Sequence, residues 1–263
     1  MNDDLPKLEI LKMVDSAEGN RVHKRSAFDL PMRLLIVGKS QLSGKTNCIG
    51  SLIMRPYDET DITGEQFYKN DFEGDNIHIV CPSTLVDHKW MSIIRGKKIP
   101  PENIFDKYDE QQLTDLYSRL EEQYYEALDK GEKPKHKLVI LDDCSFGGSL
   151  KDKMNGVIAR FACNSRHILV SLIVSSQKHS DILTTLRENA SGMILYGCSN
   201  KQAELIYNDV GEKPKKEFMQ DFRNATSKKY SFMVVNYSND PDERFLDSNF
   251  QKLTPTNAEE SNN

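Results

Sequence analysis

The sequence predicts an α/β fold in which a mostly parallel sheet carries helices on both faces. Three observations lead there. Short apolar runs recur at 33–37, 76–81, 137–141, 168–175, 192–196 and 230–235, each of strand length. Helical patterns lie between most of them, which implies right-handed crossovers and parallel pairing. Two of the runs end in residues suited to phosphate and metal: Gly38 ahead of Gly44-Lys45-Thr46, and Asp142-Asp143.

The elements follow in order. Residues 1–30 read as an extension with little periodicity, 31–250 as one domain and 251–263 as a polar tail. After the strand at 33–37, Cys48, Ile49, Leu52 and Ile53 mark a helix to about 54. Residues 55–75 are polar and read as a loop. The strand at 76–81 is closed by Pro82, and a helix near 85–95 holds the only tryptophan, Trp90. A longer helix spans 110–130. Asp109 and Gln112 form a capping-box-like start, Leu113, Leu116, Leu120, Tyr124 and Leu128 recur at helical spacing, and Gly131 stops it. Past 137–141, Leu150, Met154, Val157, Ile158 and Phe161 share a helix face. A short helix follows 168–175. After 192–196, Ser199 caps a helix to Gly211 and Pro214 opens another before 230–235.

Residues 33–47, RLLIVGKSQLSGKTN, have the layout of a phosphate-binding P-loop. Glycines let backbone N–H groups turn inward around phosphates, and the helix N-terminus adds partial positive charge. Lys45 would reach the β- and γ-phosphates of a nucleotide, and the Thr46 hydroxyl would ligate Mg²⁺. The spacing departs from the usual motif. Gly38 and Gly44 enclose five residues, Lys39 to Ser43, where four are expected. Either the loop carries an insertion or Lys39 takes the first position. The insertion keeps Gly38 at the strand end, where the chain must turn. Gly38, Ser43, Gly44, Lys45, Thr46 and Asn47 are the candidate nucleotide-binding residues.

A P-loop NTPase needs a second strand tipped with an acid, and KLVILDD at 137–143 fits. Its unbroken apolar run reads as a strand buried on both faces. Asp142 would hold Mg²⁺. Asp143 would sit where such enzymes place the acid that orients the attacking water, although an aspartate is shorter than the usual glutamate. The acidic strand is third in sequence. That places the chain in the RecA-like, ASCE branch, with strand order 5-1-4-3-2 and a polar sensor at the tip of the fourth strand. Ser175-Ser176-Gln177 stands there, and Gln177 is the sensor candidate.

Composition sets outer limits. The 263 residues are 38% hydrophobic, enough for a real core, and no run approaches 18 apolar residues, so no transmembrane segment is expected. The N-terminus MNDDLPKLEI lacks an apolar signal region. Five scattered cysteines with no CxxC pair read as reduced, intracellular usage. The net charge of −5 means that any nucleic-acid contact uses local patches. Arg21/Lys24/Arg25, Arg95/Lys97/Lys98, Lys133/Lys135/Lys137, Lys213/Lys215/Lys216 and Lys228/Lys229 are the candidates, each individually no more than an ordinary solvated cluster.

The strings GKSQLSGKTN, KLVILDDCS, NSRHILVSLIVSSQ and LRENAS, with IPPENIFDKYDEQQLTDLY between the second and third strands, resemble the genome-packaging ATPases of large DNA viruses. These belong to the FtsK–HerA superfamily of DNA pumps and include poxvirus, giant-virus, virophage and Polinton-like members. The resemblance covers roughly 32–210. It is most specific at the Arg-His before the fourth strand and the Arg-x-Asn after it. It implies a Mg²⁺-dependent ATPase that translocates double-stranded DNA without sequence readout, working as a homo-oligomeric ring, a pentamer or hexamer, against a capsid or membrane-vertex protein. It also implies residence in the host cytoplasm, a viral factory or the virion. Gly44, Lys45 and Thr46 match the family's nucleotide loop, Asp142 and Asp143 its acidic motif and Gln177 its sensor. Arg166 and Arg187 match basic positions that could act as an arginine finger on a neighbouring subunit's nucleotide.

Two other classes compete. A GTPase needs an NKxD-type guanine reader, and Asn200-Lys201-Gln202-Ala203 fails at its last position. Asp71-Phe72-Glu73-Gly74 imitates a switch motif but precedes the second strand. A nucleotide kinase or ATP-gated scaffold would use the same P-loop without a motor, and the arginine-rich lid of a kinase is not visible.

Overall fold

The structure is a computed structural model that describes residues 20–24, 27–40, 43–54, 67–144 and 156–253. Its elements run β1 Arg33–Val37, α1 Lys45–Met54, β2 Ile77–Val80, α2 His88–Lys97, β3 Ile104–Phe105, α3 Glu110–Asp129, β4 Lys137–Leu141, α4 Val157–Asn164, β5 Val170–Ser176, α5 Thr184–Glu188, β6 Gly192–Tyr196, α6 Asn200–Val210, α7 Lys215–Ala225, β7 Phe232–Asn236 and β8 Phe245–Leu246. One sheet of eight strands has the order β3-β2-β4-β5-β1-β6-β7-β8. The six strands from β3 to β6 pair in parallel, and β7 and β8 are antiparallel additions at one edge. In terms of the six strands read from the sequence, the order 5-1-4-3-2 stands at the centre of the sheet. The two-residue β3 extends one side of it, and the sixth strand and β8 extend the other.

Residues alternate between two cores, as a sheet covered on both faces requires. Leu34, Ile36, Ile79, Ile140, Ile173 and Ile194 pack toward Ile49, Leu52 and Ile53 of α1 and Trp90 and Ile93 of α2. Leu35, Val37, Val139, Leu141, Leu172 and Val174 pack toward α3, α4, α6 and α7. The first of these cores also takes in Phe28 and Leu30, and both the Phe28 N–H and carbonyl bond to the buried Tyr68 hydroxyl, at 2.8 and 2.7 Å. The segment before β1 thus contributes to the interior although its sequence shows no period.

Several expectations about element ends hold, for local reasons. Asp109 caps α3, its carboxylate accepting from the Gln112 N–H at 2.9 Å. Ser199 caps α6, and Gly211 ends it in the left-handed region. Others shift. Helix α2 begins at His88, because Asp87 accepts from the Lys89 N–H and sets the cap there. Strand β5 begins at Val170, two residues late, because a 3₁₀ turn over Ser165–Ile168 ends with Leu169 at φ 56°. Leu128 does not join the apolar stripe of α3. It lies in the last turn, beyond Tyr124, and is 44% exposed. The stretch 146–151 after the acid pair, whose glycines together with Lys151 and Lys153 make it a candidate DNA-channel loop from the sequence, and the greater part of the 55–75 loop lie outside the described residues.

Candidate functional site

Register brings the strand tips together. Val37 of β1 lies opposite Ser176 of β5, and Leu141 of β4 lies opposite Val174. Gly38, Asp142 and Gln177, each the first residue beyond its strand, therefore converge at the carboxyl ends of three adjacent strands, where open α/β sheets form their clefts.

The loop after β1 is built tightly. The Gly38 N–H donates to the Ser176 carbonyl at 3.0 Å. A Cβ at Gly38 would lie 2.5 Å from the Ser43 Cβ and 2.8 Å from the Tyr196 Cβ, so a side chain cannot be accommodated there without moving the loop. Ser43 Oγ donates to the Lys39 carbonyl at 2.7 Å. Gly44 takes φ +78°, a conformation that suits glycine, and opens α1. Lys45, in the first turn of that helix, is buried. Its Nζ donates to the Gly38 carbonyl at 3.0 Å and lies 3.9 Å from Asp143 Oδ1. The lysine thus spans the loop it would close over phosphate. Asn47 is exposed on α1. Gln41 and Leu42 lie outside the described residues, so the roles of Lys39 and the additional residue rest on the sequence.

Asp142 is the most heavily coordinated acid of the cleft. It is buried and accepts from Trp90 Nε1 at 2.8 Å, from the Ser175 hydroxyl, from Thr46 Oγ1 at 3.4 Å and from the Cys81 thiol at 3.8 Å. Burial pushes its carboxyl above the ordinary aspartate range, while the hydrogen bonds from Ser175 and Trp90 act the other way. Asp143 takes the left-handed conformation, φ 49°. Its N–H donates to Ser175 Oγ at 3.3 Å, and its Oδ2 accepts from the Gln177 amide at 3.3 Å. Its Oδ1 is buried and has no hydrogen bond. A backbone turned into this sparsely populated region is a form of strain that functional sites retain. Here it swings Asp143 away from Asp142 and toward Lys45 and Gln177.

Lys45, Thr46, Asp142, Asp143 and Gln177, read separately from the sequence, are therefore one connected group. Arg166 and Arg187 make no contact with it. Arg166 lies in the turn before β5, at the opposite end of that strand from Ser176, a span of about 20 Å at ~3.3 Å per residue. Its guanidinium touches His167. Arg187 pairs with Asp209 of α6 and donates to Thr184 Oγ1 at 3.1 Å. Asp209 also bonds His179 Nε2 at 2.6 Å. Of the basic clusters, Lys24, Lys135, Lys213 and Lys215 are each ion-paired with an acid of the same chain, and Lys137 is buried beside Gln123.

Sequence reasoning missed Trp90 and Ser175 as partners of Asp142. The signal was indirect: the order 5-1-4-3-2 sets the second strand beside the third, β2 beside β4 in the structure, and so sets the helix that follows β2 above the tip of β4. Among the described residues no helix is long and apolar enough to cross a membrane, and the five cysteines are free thiols.

Among solved structures, the genome packaging NTPase B204 from Sulfolobus turreted icosahedral virus 2, in complex with AMPPCP, matches 79% of this chain and 93% of its own at 14% identity, with a TM-score of 0.49. EssC (ATPases 2 and 3) from Geobacillus thermodenitrificans matches 70% of this chain and 35% of its own at 13% identity, with a TM-score of 0.46. At these scores neither likeness carries an argument. No curated protein matches the chain. The family model described as Poxvirus A32 protein matches residues 96–248, a span that holds Asp142, Asp143, Arg166, Gln177 and Arg187. That span exceeds half of the 263 residues, and the chain belongs to the poxvirus A32 protein family.

Proposed function

We propose that this chain is a Mg²⁺-dependent ATPase that drives double-stranded DNA, without sequence readout, into a viral capsid. The observation that carries the reading is the shared carboxylate. Thr46 at the start of α1 and Asp142 at the tip of β4 meet at one buried oxygen, beside a lysine folded over its own loop. Membership of the poxvirus A32 family supports it.

The residues present fit Mg²⁺. The oxygens on offer, Thr46 Oγ1, Asp142 Oδ2 and the unbonded Asp143 Oδ1, are hard donors. Among the described residues no group of three or more His, Cys, Asp or Glu could hold a metal. That suits an ion whose remaining ligands are nucleotide phosphates and water. The chemistry Mg²⁺ supplies when bound is neutralisation of charge on the β- and γ-phosphate oxygens.

The remaining roles belong to this chain. Lys45 exchanges the Gly38 carbonyl for the β- and γ-phosphates. Gly38, Ser43, Gly44 and Asn47 line the phosphates. Gln177 holds Asp143, and together they orient water for attack on the γ-phosphorus. The bond from that phosphorus to the β-bridging oxygen breaks, leaving ADP and phosphate, and Asp143 takes the water's proton. Ring assembly, as pentamer or hexamer, brings an arginine of the next subunit to the γ-phosphate. Arg166 is favoured, because it is exposed at the opposite end of β5 from its own site, whereas Arg187 is held by Asp209. The ATPase domain spans 31–250, with Phe28 and Leu30 of the 1–30 extension packed into its core and the 251–263 tail beyond it.

The test is an ATPase assay with and without double-stranded DNA. Turnover should rise with DNA of either of two unrelated sequences, and the stimulation should fall steeply with salt as phosphate contacts are screened. A nucleotide kinase or ATP-gated scaffold would show no stimulation, and absence of Lys45-dependent hydrolysis would remove the ATPase reading itself.

A further inference from the structure

The turn before β7 sits against the phosphate-binding loop. Strand β7 starts at Phe232, which pairs with Tyr196 at the end of β6, and β6 lies beside β1 with Leu195 opposite Val37. The chain entering β7 is therefore at the same end of the sheet as Gly38 and Lys45. Tyr230 projects from this turn. A Cβ built on Gly44 would lie 3.6 Å from Tyr230 Cδ1, ordinary van der Waals contact, so the ring edge rests along the backbone of Gly44.

Three features distinguish Tyr230 from an incidental surface aromatic. It is 53% exposed, one of five large hydrophobics left in solvent among the described residues. Its φ is +67°, which is rare for a bulky side chain and is tolerated where surrounding structure enforces it. The enforcement is visible in the turn. The Ser231 N–H donates to the Lys228 carbonyl at 3.1 Å, and the Lys228 N–H donates to Ser231 Oγ at 3.1 Å. Finally, the Lys229 ammonium lies 4.9 Å from the ring centroid, over one face. The ring has a second face, and more than half of the residue is open to solvent.

We propose that Tyr230 is the platform on which the purine base of the nucleotide stacks. The proposal rests on the P-loop reading of Gly44-Lys45-Thr46. With the triphosphate over Gly44 and Lys45, the nucleoside extends from the loop toward whatever flanks it, and on the side of Gly44 that is Tyr230. Stacking on an aromatic face reads the flatness of a heterocycle and makes no hydrogen bond to its edge. The platform therefore favours purines over pyrimidines and discriminates weakly between ATP and GTP. The lysine on the opposite face polarises the ring and fixes its tilt.

Equilibrium binding to the full chain separates base from phosphate. ATP and tripolyphosphate, each with Mg²⁺, are titrated against wild type, Tyr230→Ala, Tyr230→Phe and Lys45→Ala. Tyr230→Ala should weaken ATP about tenfold, as loss of a stacked base does, and leave tripolyphosphate unchanged. Tyr230→Phe, which keeps the ring, should match wild type. Alanine meets the same positive φ as tyrosine, and an unchanged melting temperature confirms that the turn holds. Unchanged ATP affinity in Tyr230→Ala overturns the platform, as does equal weakening of ATP and tripolyphosphate. The P-loop reading fails differently: Lys45→Ala would then bind both ligands as wild type does, or wild type would bind neither.

Discussion

The indole N–H of Trp90 donates a 2.8 Å hydrogen bond to Asp142 Oδ2, tying the only tryptophan of the chain to the acid at the tip of β4. The same oxygen accepts from Thr46. A fully buried indole therefore helps to fix the carboxylate that the nucleotide loop faces. Partners of this kind orient a ligand and tune its basicity, and their loss typically weakens metal affinity about 10–100-fold.

Trp90→Phe keeps most of the packing against α1 and removes the donor. We expect half-saturation by Mg²⁺ in the ATPase assay to rise about tenfold or more, with ATP binding in the absence of metal unaffected. Stability should fall by about 1.5–3 kcal/mol, the range for a hydrogen bond to a charged group. Titration of turnover against Mg²⁺ checks the first effect and thermal unfolding the second. An unchanged Mg²⁺ profile would leave Trp90 a core residue only.

Asp142 titrates above the ordinary aspartate range because burial disfavours its charge. The sign follows. As pH rises, the unfolded chain ionises at this position first, so the metal-free folded state loses stability across the window from the ordinary aspartate value up to the raised one. Above that window the penalty is constant. Asp142→Asn should therefore melt a few degrees higher than wild type at neutral pH without metal, and should lack this component of the pH dependence. Its Mg²⁺-dependent ATP binding should be weaker. Thermal melts at several pH values check the first part, and a mutant less stable than wild type at neutral pH would contradict it.

Lys45→Ala removes the loop's cation and leaves the Gly38 carbonyl without its partner. Turnover should fall to background, while stability changes by about 1 kcal/mol, the net worth of one hydrogen bond. Asp143→Asn should behave differently: it retains Mg·ATP binding and hydrolyses slowly, because Gln177 can still bond the amide oxygen while the proton acceptor is gone. Binding measured by calorimetry and single-turnover hydrolysis together distinguish the two variants. Equal binding defects in Asp143→Asn and Asp142→Asn would refute the division between the acids.

Arg166→Ala mixed with Lys45→Ala, each inactive alone, should recover ATPase, because some interfaces regain one intact loop and one intact arginine. A finger acting in trans contributes about 10³–10⁵ in rate, so recovery should be clear above background. Arg187→Ala serves as the comparison. Its guanidinium is engaged by Asp209 and Thr184, and its replacement should show in stability before it shows in mixing. No recovery at any ratio, with assembly confirmed, would place Arg166 outside the chemistry.

The strand runs, the crossovers and the caps Asp109 and Ser199 were legible in the sequence, because each depends on local spacing or on rules of chain connection, and the central order 5-1-4-3-2 followed from the acid-tipped strand standing third. Lys45, Thr46, Asp142, Asp143 and Gln177 were named as candidates from their offsets from strand ends, and the structure brings them into one group. What only the tertiary structure decided is how these residues meet. Register places Leu141 opposite Val174, so Asp142 faces Ser175. The packing of α2 above β4 delivers Trp90 across 52 positions, and the turn into β7 lays Tyr230 along Gly44. Such contacts join residues far apart in sequence, and no periodicity within either segment encodes them. Chain connectivity limits which strands become neighbours; the side chains that touch at their tips are settled by register and close packing once the sheet has formed.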